Sequence, residues 1–164
     1  MYSLISRIKF LQKATNQHGV HSPFVYTYIT KGLYTKEKLA PSKSVDILLK
    51  SIQYFKIKSI KVNSKSNIYL TKIKENFPNL ETNAPEYDAI YLENCSGWNT
   101  TIIEKEIKNT TWVFISNINS NKEVVLQWEK IKNKKEVTVS INLFYCGIIF
   151  FRKEQEKEHF KIRY

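Results

Sequence analysis

Apolar and polar positions follow one period up to about residue 56 and a mixture of two periods after it. Leu4, Ile5, Ile8 and Leu11 fall at helical spacing, with Arg7, Lys9 and Lys13 as a basic face, so residues 2–14 are predicted helical. Asn16-Gln17-His18-Gly19 breaks this pattern. Ser22 can accept a backbone hydrogen bond as N-cap, and Pro23 suits a first helical position. Val25, Ile29 and Leu33 then form one stripe, with Gly32 near its end. Residues 35–43 are a polar connector. From the expected cap Ser44, the residues Val45, Leu48, Leu49, Ile52 and Phe55 give the clearest amphipathic helix in the chain.

Beyond that helix, short apolar runs alternate with helical patterns. Ser59–Val62 reads as a strand running into polar 63–67. Tyr69, Leu70, Ile73 and Phe77 mark a helix stopped by Pro78, and Asp88–Leu92 is a buried strand. Thr101 with Glu104 makes a capping box for a helix to about Lys108. Trp112–Ile115 is the next strand. Ser120 with Glu123 makes a second capping box, before a helix carrying Val124, Val125, Trp128 and Ile131. Val137, Val139 and Ile141 alternate with polar residues in a strand, and Gly147 precedes a second, Ile148–Phe151. Strand–helix alternation implies parallel βαβ units, closed by a hairpin-like terminal pair. The expected organisation is a single domain over 1–164, with N-terminal helices in 1–56 and sheet with crossover helices in 57–164.

Composition narrows the function class. A 42% hydrophobic share in 164 residues fits a folded core. No run approaches the roughly 18 apolar residues of a membrane helix, and the N-terminus makes a poor signal peptide. The expectation is a cytoplasmic protein without membrane contact. The net charge is +11, and residues 1–60 carry 10 Lys/Arg against 2 Asp/Glu. A nucleic-acid-binding role is therefore one alternative. The excess is lysine, however, and no nucleic-acid motif accompanies it. Cys95 and Cys146 are too few for a disulfide framework or a thiolate zinc site and read as semi-buried thiols. His18 and His21 lack acidic or thiol neighbours for a metal. His159, among Glu154, Glu156 and Glu158, reads as part of a charged surface segment, and Trp112 and Trp128 read as packing.

Several of these stretches together resemble a bacterial family of class I S-adenosylmethionine-dependent methyltransferases. They are QHGVHSPFVYTYIT at 17–30, ILLKSIQYFKIKSIKV at 47–62, YDAIYLEN at 87–94, EVVLQWEKIK at 123–132 and nearly all of 137–164. The resemblance implies an α/β, Rossmann-like methyltransferase fold. Its sheet would be truncated and mixed, about five strands in an order near 1-4-5-7-6, with N-terminal helices. Only 25 residues separate Val62 from Asp88. Two full βα units do not fit there, since one crossover takes about 10–12 residues or more. The first strand then becomes a sheet edge, expected to be covered by the N-terminal helices or a second chain.

The same resemblance assigns sites by position. Asn63, Ser64, Ser66 and Asn67 stand in the cofactor loop, where Asn63 and Asn67 can tolerate positive φ, and Glu93 ends the fourth strand. Glu93, Ser116 and Asn117 stand where related metal-assisted enzymes hold carboxylates, and Asn119 where they hold a histidine. Glu93 is the one weak catalytic candidate. Trp98 is placed to plug the acceptor pocket. The loop lacks glycine and acid, and the later carboxylate pair is lost. The implied function is thus a degenerate, non-catalytic methyltransferase-like binding or accessory protein. An active methyltransferase with an unconventional cofactor site is its alternative. No metal and no cofactor are expected, S-adenosylmethionine only if the chain is active. A protein partner or a second copy is the partner class left open.

Overall fold

The computed structural model describes residues 2–98 and 107–164. The predicted Thr101–Glu104 capping box lies outside the described residues. Among these, a mixed six-stranded sheet carries helices on both faces. Its strands are β1 (Ile60–Asn63), β2 (Ala89–Leu92), β3 (Trp112–Ser116), β4 (Val139–Asn142), β5 (Cys146–Phe150) and β6 (Glu158–Lys161). They lie in the order β1-β2-β3-β5-β4-β6. β1, β2 and β3 are parallel, β5 runs antiparallel between β3 and β4, and β6 pairs parallel with β4. The first five strands take the expected order. The sixth was not foreseen, because its Glu158-His159-Phe160-Lys161 looks like a charged tail.

Helices α1 (Tyr2–Lys13), α2 (Pro23–Thr27), α3 (Lys43–Phe55), α4 (Ile68–Asn76) and α5 (Lys122–Lys132) complete the described elements, with short tighter turns and one π-helical stretch, Tyr28–Leu33. The π-helix continues α2 directly, which a stripe at 3.6 spacing does not reveal. Ser22 caps α2 as expected, accepting from Val25 N at 3.5 Å. Two other caps shift by a residue or two. α3 is entered from Ser42 rather than Ser44, and α5 is capped by Asn121, whose Oδ1 accepts from Val124 N at 3.0 Å, rather than by Ser120. Ser44 has a different duty in a buried hydroxyl cluster described below.

Strand alternation sorts the core into two layers. Ile60, Tyr91, Trp112, Phe114, Val139, Ile141, Ile148 and Phe150 face α2, the π-helix, α3 and α4. Ile90, Leu92, Val113, Ile115 and Ile149 face α5 with Trp128 and Ile131. Ile47, Leu48 and Leu49 of α3 are fully buried, each stabilising the fold by about 1.5–3 kcal/mol. α3 is covered on nearly every side and buries the ion pair Asp46–Lys50 at 3.3 Å as well. Asp46 also accepts from Leu39 N and Ala40 N, and Lys50 donates to Leu33 O and Thr35 O, so the pair is held by backbone.

Helix α1 departs from its pattern. Leu4, Ile5, Ile8 and Leu11 are the exposed side chains, while Phe10 and Ala14 are buried against Phe144 and Tyr145. The edge strand β1 is covered at its start by the backbone of Glu81, which exchanges hydrogen bonds with Lys58 and Ile60, and not by the N-terminal helices. No helix among the described residues is long and apolar enough to cross a membrane.

Candidate functional site

The parallel strands β1, β2 and β3 end at Asn63, Leu92 and Ser116, and in open α/β sheets the crevice beyond such ends is where ligands lie. A cavity of about 700 Å³ opens there beside the last of them. Ser44, Tyr69, Asn117, Asn119, Ser120 and Tyr145 are among its lining residues. Its floor is a net of hydroxyls. Ser116 Oγ lies 3.2 Å from Ser44 Oγ, 3.1 Å from Tyr69 OH and 3.3 Å from Tyr91 OH. Tyr69 stacks on Tyr91 at 4.4 Å between ring centroids. Burial pushes the Tyr91 hydroxyl far above its usual range, so it stays a neutral donor.

Two left-handed residues shape the rim. Asn117 has φ 58°, and its N–H donates to Tyr145 O at 2.9 Å. Phe144 has φ 70°, a conformation costing about 1–3 kcal/mol for a bulky residue. Two amides hold it there. Asn142 Oδ1 accepts from Phe144 N at 2.9 Å, and Asn119 Nδ2 donates to Phe144 O at 2.8 Å. This turn presents the half-buried ring of Tyr145 to the cavity, with Arg7 and Lys43 at 5.8 and 5.3 Å from its centroid.

The residues singled out in the sequence divide between this cavity and its surroundings. Glu93 Oε2 accepts from Lys65 N at 2.8 Å and lies 3.0 Å from Ser64 Oγ. Ser64 Oγ in turn accepts from Ser66 N at 3.0 Å. The 63–67 loop is therefore closed on itself around that carboxylate, with the Glu93 oxygen spent on it. Asn67 has φ −78°, and neither Asn63 nor Asn67 is among the left-handed residues, which include Asn117. Asn117 lines the cavity at its rim, and Ser116, fully buried, lies beneath it in the hydroxyl net. Trp98 does not line it. That ring lies 6.4 Å from Phe151 in the other core layer, its indole N–H without an acceptor among the described residues. No group of three or more His, Cys, Asp or Glu side chains stands together among the described residues, so no donor set for a metal is assembled there. Both cysteines are buried, and burial pushes the Cys95 thiol up to about 11, which keeps it protonated and unreactive.

Sequence reading did not single out Tyr69 as a site residue or Tyr145 at all. Tyr69 looked like one of four packing positions on its helix. The only trace of Tyr145 was an aromatic pair, Phe144-Tyr145, in a turn between two apolar strands.

No curated protein and no solved structure matches the chain. A family model described as endo-alpha-N-acetylgalactosaminidase matches residues 4–163. This match overturns the methyltransferase resemblance, together with the degenerate and active methyltransferase functions read from it, and it gives the nucleic-acid alternative no support. The short stretches that carried that resemblance describe a mixed α/β sheet and its connections, which many families share. The match spans nearly the whole chain, and the chain belongs to the endo-alpha-N-acetylgalactosaminidase family of glycoside hydrolases.

Proposed function

We propose that the chain recognises a glycan containing α-linked N-acetylgalactosamine in the cavity at the strand ends, and that it binds this sugar without cleaving it. The observation that carries the reading is the chemistry of the lining. A sugar presents hydroxyls and an amide around an apolar C–H face. The side-chain amide oxygens of Asn117 and Asn119 and the hydroxyls of Ser44 and Ser120 match the first, and the Tyr145 ring matches the second. The volume, about 700 Å³, suits one or two sugar rings.

Hydrolysis of a glycosidic bond in most such enzymes needs two carboxyl groups flanking it, one as acid and one as nucleophile or base. The described lining of the cavity holds no carboxylate, and the neighbouring Glu93 is engaged by Ser64 and Lys65. Binding alone is thus the activity these side chains support.

The test is a calorimetric titration of the chain with methyl α-N-acetylgalactosaminide, alongside an assay for released sugar on a glycopeptide carrying that linkage. Saturable binding, weakened about tenfold in Tyr145→Ala, with no release, is the expected result. Absence of binding, or binding indifferent to Tyr145, would remove the reading. Sugar release at a steady rate would replace it with hydrolysis.

A further inference from the structure

The sheet has a second polar surface, built by a different rule. On the layer facing α5, β2, β3 and β5 contribute apolar residues or a glycine, but the pattern changes at β4 and β6. Ser140 and Asn142 of β4 lie on that face, in register with His159 and Lys161 of β6. A parallel register places paired side chains on one side of the sheet. α5 does not extend over them. Its Trp128 packs flat on β5 instead, with ring carbons only 2.4 Å from where a side chain at Gly147 would begin.

The floor left open is walled on both sides. Trp128 and Lys132 of α5 form one wall. Lys13, at the end of α1, with Thr15 and Gly19 after it, forms the other. Thr15 is tied to the sheet edge, its N–H donating to Lys161 O and its C=O accepting from Arg163 N, both at 2.9 Å. Gly19 is required beside it, since a Cβ there would lie 2.0 Å from Thr15 Oγ1. The result is a groove of about 350 Å³.

Its chemistry is cationic. Lys13, Lys132, Lys161 and His159 line it, and no acidic residue does among the described residues. Lys132 is paired with Glu129 at 2.6 Å on the same helix. Among the described residues Lys13 and Lys161 form no ion pair, and Lys157 nearby donates to the backbone of Asn133 and Lys134. Among the neutral groups, Asn142 offers a donor. Asn142 Oδ1 already accepts from Phe144 N and Asn119 Nδ2, which leaves its own Nδ2 for the groove. His159 Nδ1 is held by Ser140 Oγ at 2.8 Å, which leaves Nε2 as the free ring nitrogen. Two uncompensated ammonium groups beside an amide donor form a receptor for a tetrahedral oxyanion.

We propose that this groove is an anion-binding site for a sulfate- or phosphate-type group, with Lys13 and Lys161 as its cations and Asn142 as a donor at its floor. It is separate from the cavity at the strand ends and stands whether or not that cavity takes a glycan. The group can arrive as an ester on a sugar or as a free ion, and the two sources are separable.

The chain has three histidines, so the His159 imidazole signal can be followed by itself by NMR. The probes are inorganic sulfate, N-acetylgalactosamine 6-sulfate and unsubstituted N-acetylgalactosamine, at low salt. Both sulfate-bearing probes are expected to shift His159 saturably while leaving His18 and His21 in place. The double variant Lys13→Gln with Lys161→Gln, two surface changes that spare the core, is expected to weaken both by about tenfold or more. Tighter binding of the sulfated sugar assigns the group to a glycan, and equal or tighter inorganic sulfate assigns it to a free ion. The proposal fails if His159 does not respond to either sulfate probe at about 50 mM, a concentration that would detect even feeble binding. It also fails if the double variant responds like the parent, or if unsubstituted sugar shifts His159 equally.

Discussion

The cavity at the strand ends and the groove at β4 and β6 are both polar, yet they are built in opposite ways. In the cavity, polar groups are satisfied by one another. Ser44, Tyr69, Tyr91 and Ser116 share hydrogen bonds, and Asn119 is committed to Phe144 and Asn142. Its charge is confined to Lys43 and Arg7 beside the Tyr145 ring, and the ligand read from it is neutral. In the groove, charge is left over, with cations that the described protein does not pair. A satisfied network costs little to fold and offers its partners only shape and redirected hydrogen bonds. Unpaired cations around one groove repel one another in the empty state and gain most when an anion arrives. One region is organised to be stable without a ligand, the other to be stabilised by one.

The sharpest way to break the groove is through its aromatic wall. Gly147→Ala places a methyl where the Trp128 ring carbons stand at 2.4 Å, and both the strand and the ring are locked in the core. Overpacking of this kind should cost about 3 kcal/mol of stability, read as a lower urea midpoint in chemical denaturation. Displacing Trp128 should also weaken sulfate at the groove while leaving the rim of the cavity, on the other side of β4, in place.

The matching change in the cavity is Ser116→Ala. Ser116 is fully buried and its hydroxyl lies within hydrogen-bonding distance of three others. Removing it strands at least one buried tyrosine or serine hydroxyl, at a cost of about 1–2 kcal/mol. A second measurement sharpens the contrast. Methyl α-N-acetylgalactosaminide binding should fall with Ser116→Ala, and the sulfate response of His159 should not. If both fell together, the two regions would be one coupled site.

How far the sequence foretold this arrangement depends on what each element has for a neighbour. The period-2 run at 137–141 and the apolar runs at 59–62, 88–92, 112–115 and 148–151 locate five strands, because strands that are mostly buried carry their burial in their own residues. β6 was not legible. Its residues are half-exposed, and it is a strand only because β4 offers a free edge and Thr15 covers its other side. α1 misled for the converse reason. Leu4, Ile8 and Leu11 make a perfect stripe, but the surface available to α1 is the Phe144-Tyr145 turn, which takes Phe10. Site residues followed the same divide. Ser116 and Asn117 were found because they end a strand. Tyr145 and the lysines of the groove were not, because they meet only through a strained turn and an unforeseen strand. The family, too, was misread from short stretches that record sheet construction more than chemistry.

The smallest effect is one of pH, and it tests whether the groove is cationic in solution. Burial first, then the charges of Lys132 and Lys157, hold the His159 imidazole below its ordinary value, against the opposing pull of Glu129. Lys13 and Lys161 of the same groove are the remaining cations that face it. In the unfolded chain the imidazole titrates at about 6.5. Above that pH both states are neutral at His159, and its contribution to stability is fully present. As pH falls below it the unfolded chain takes up the proton first, so stability drops until the folded pKa is passed. The ring is well exposed, so solvent screening keeps this loss small, and careful denaturation curves at pH 7 and pH 5 are needed to see it. His159→Gln should flatten the difference. Saturating sulfate should reverse its origin, because an anion beside the ring favours the charged imidazolium and raises its pKa in an NMR titration. A pKa unmoved by sulfate would mean that the cations of the groove do not act on a shared ligand, and the contrast between the two regions would lose its electrostatic half.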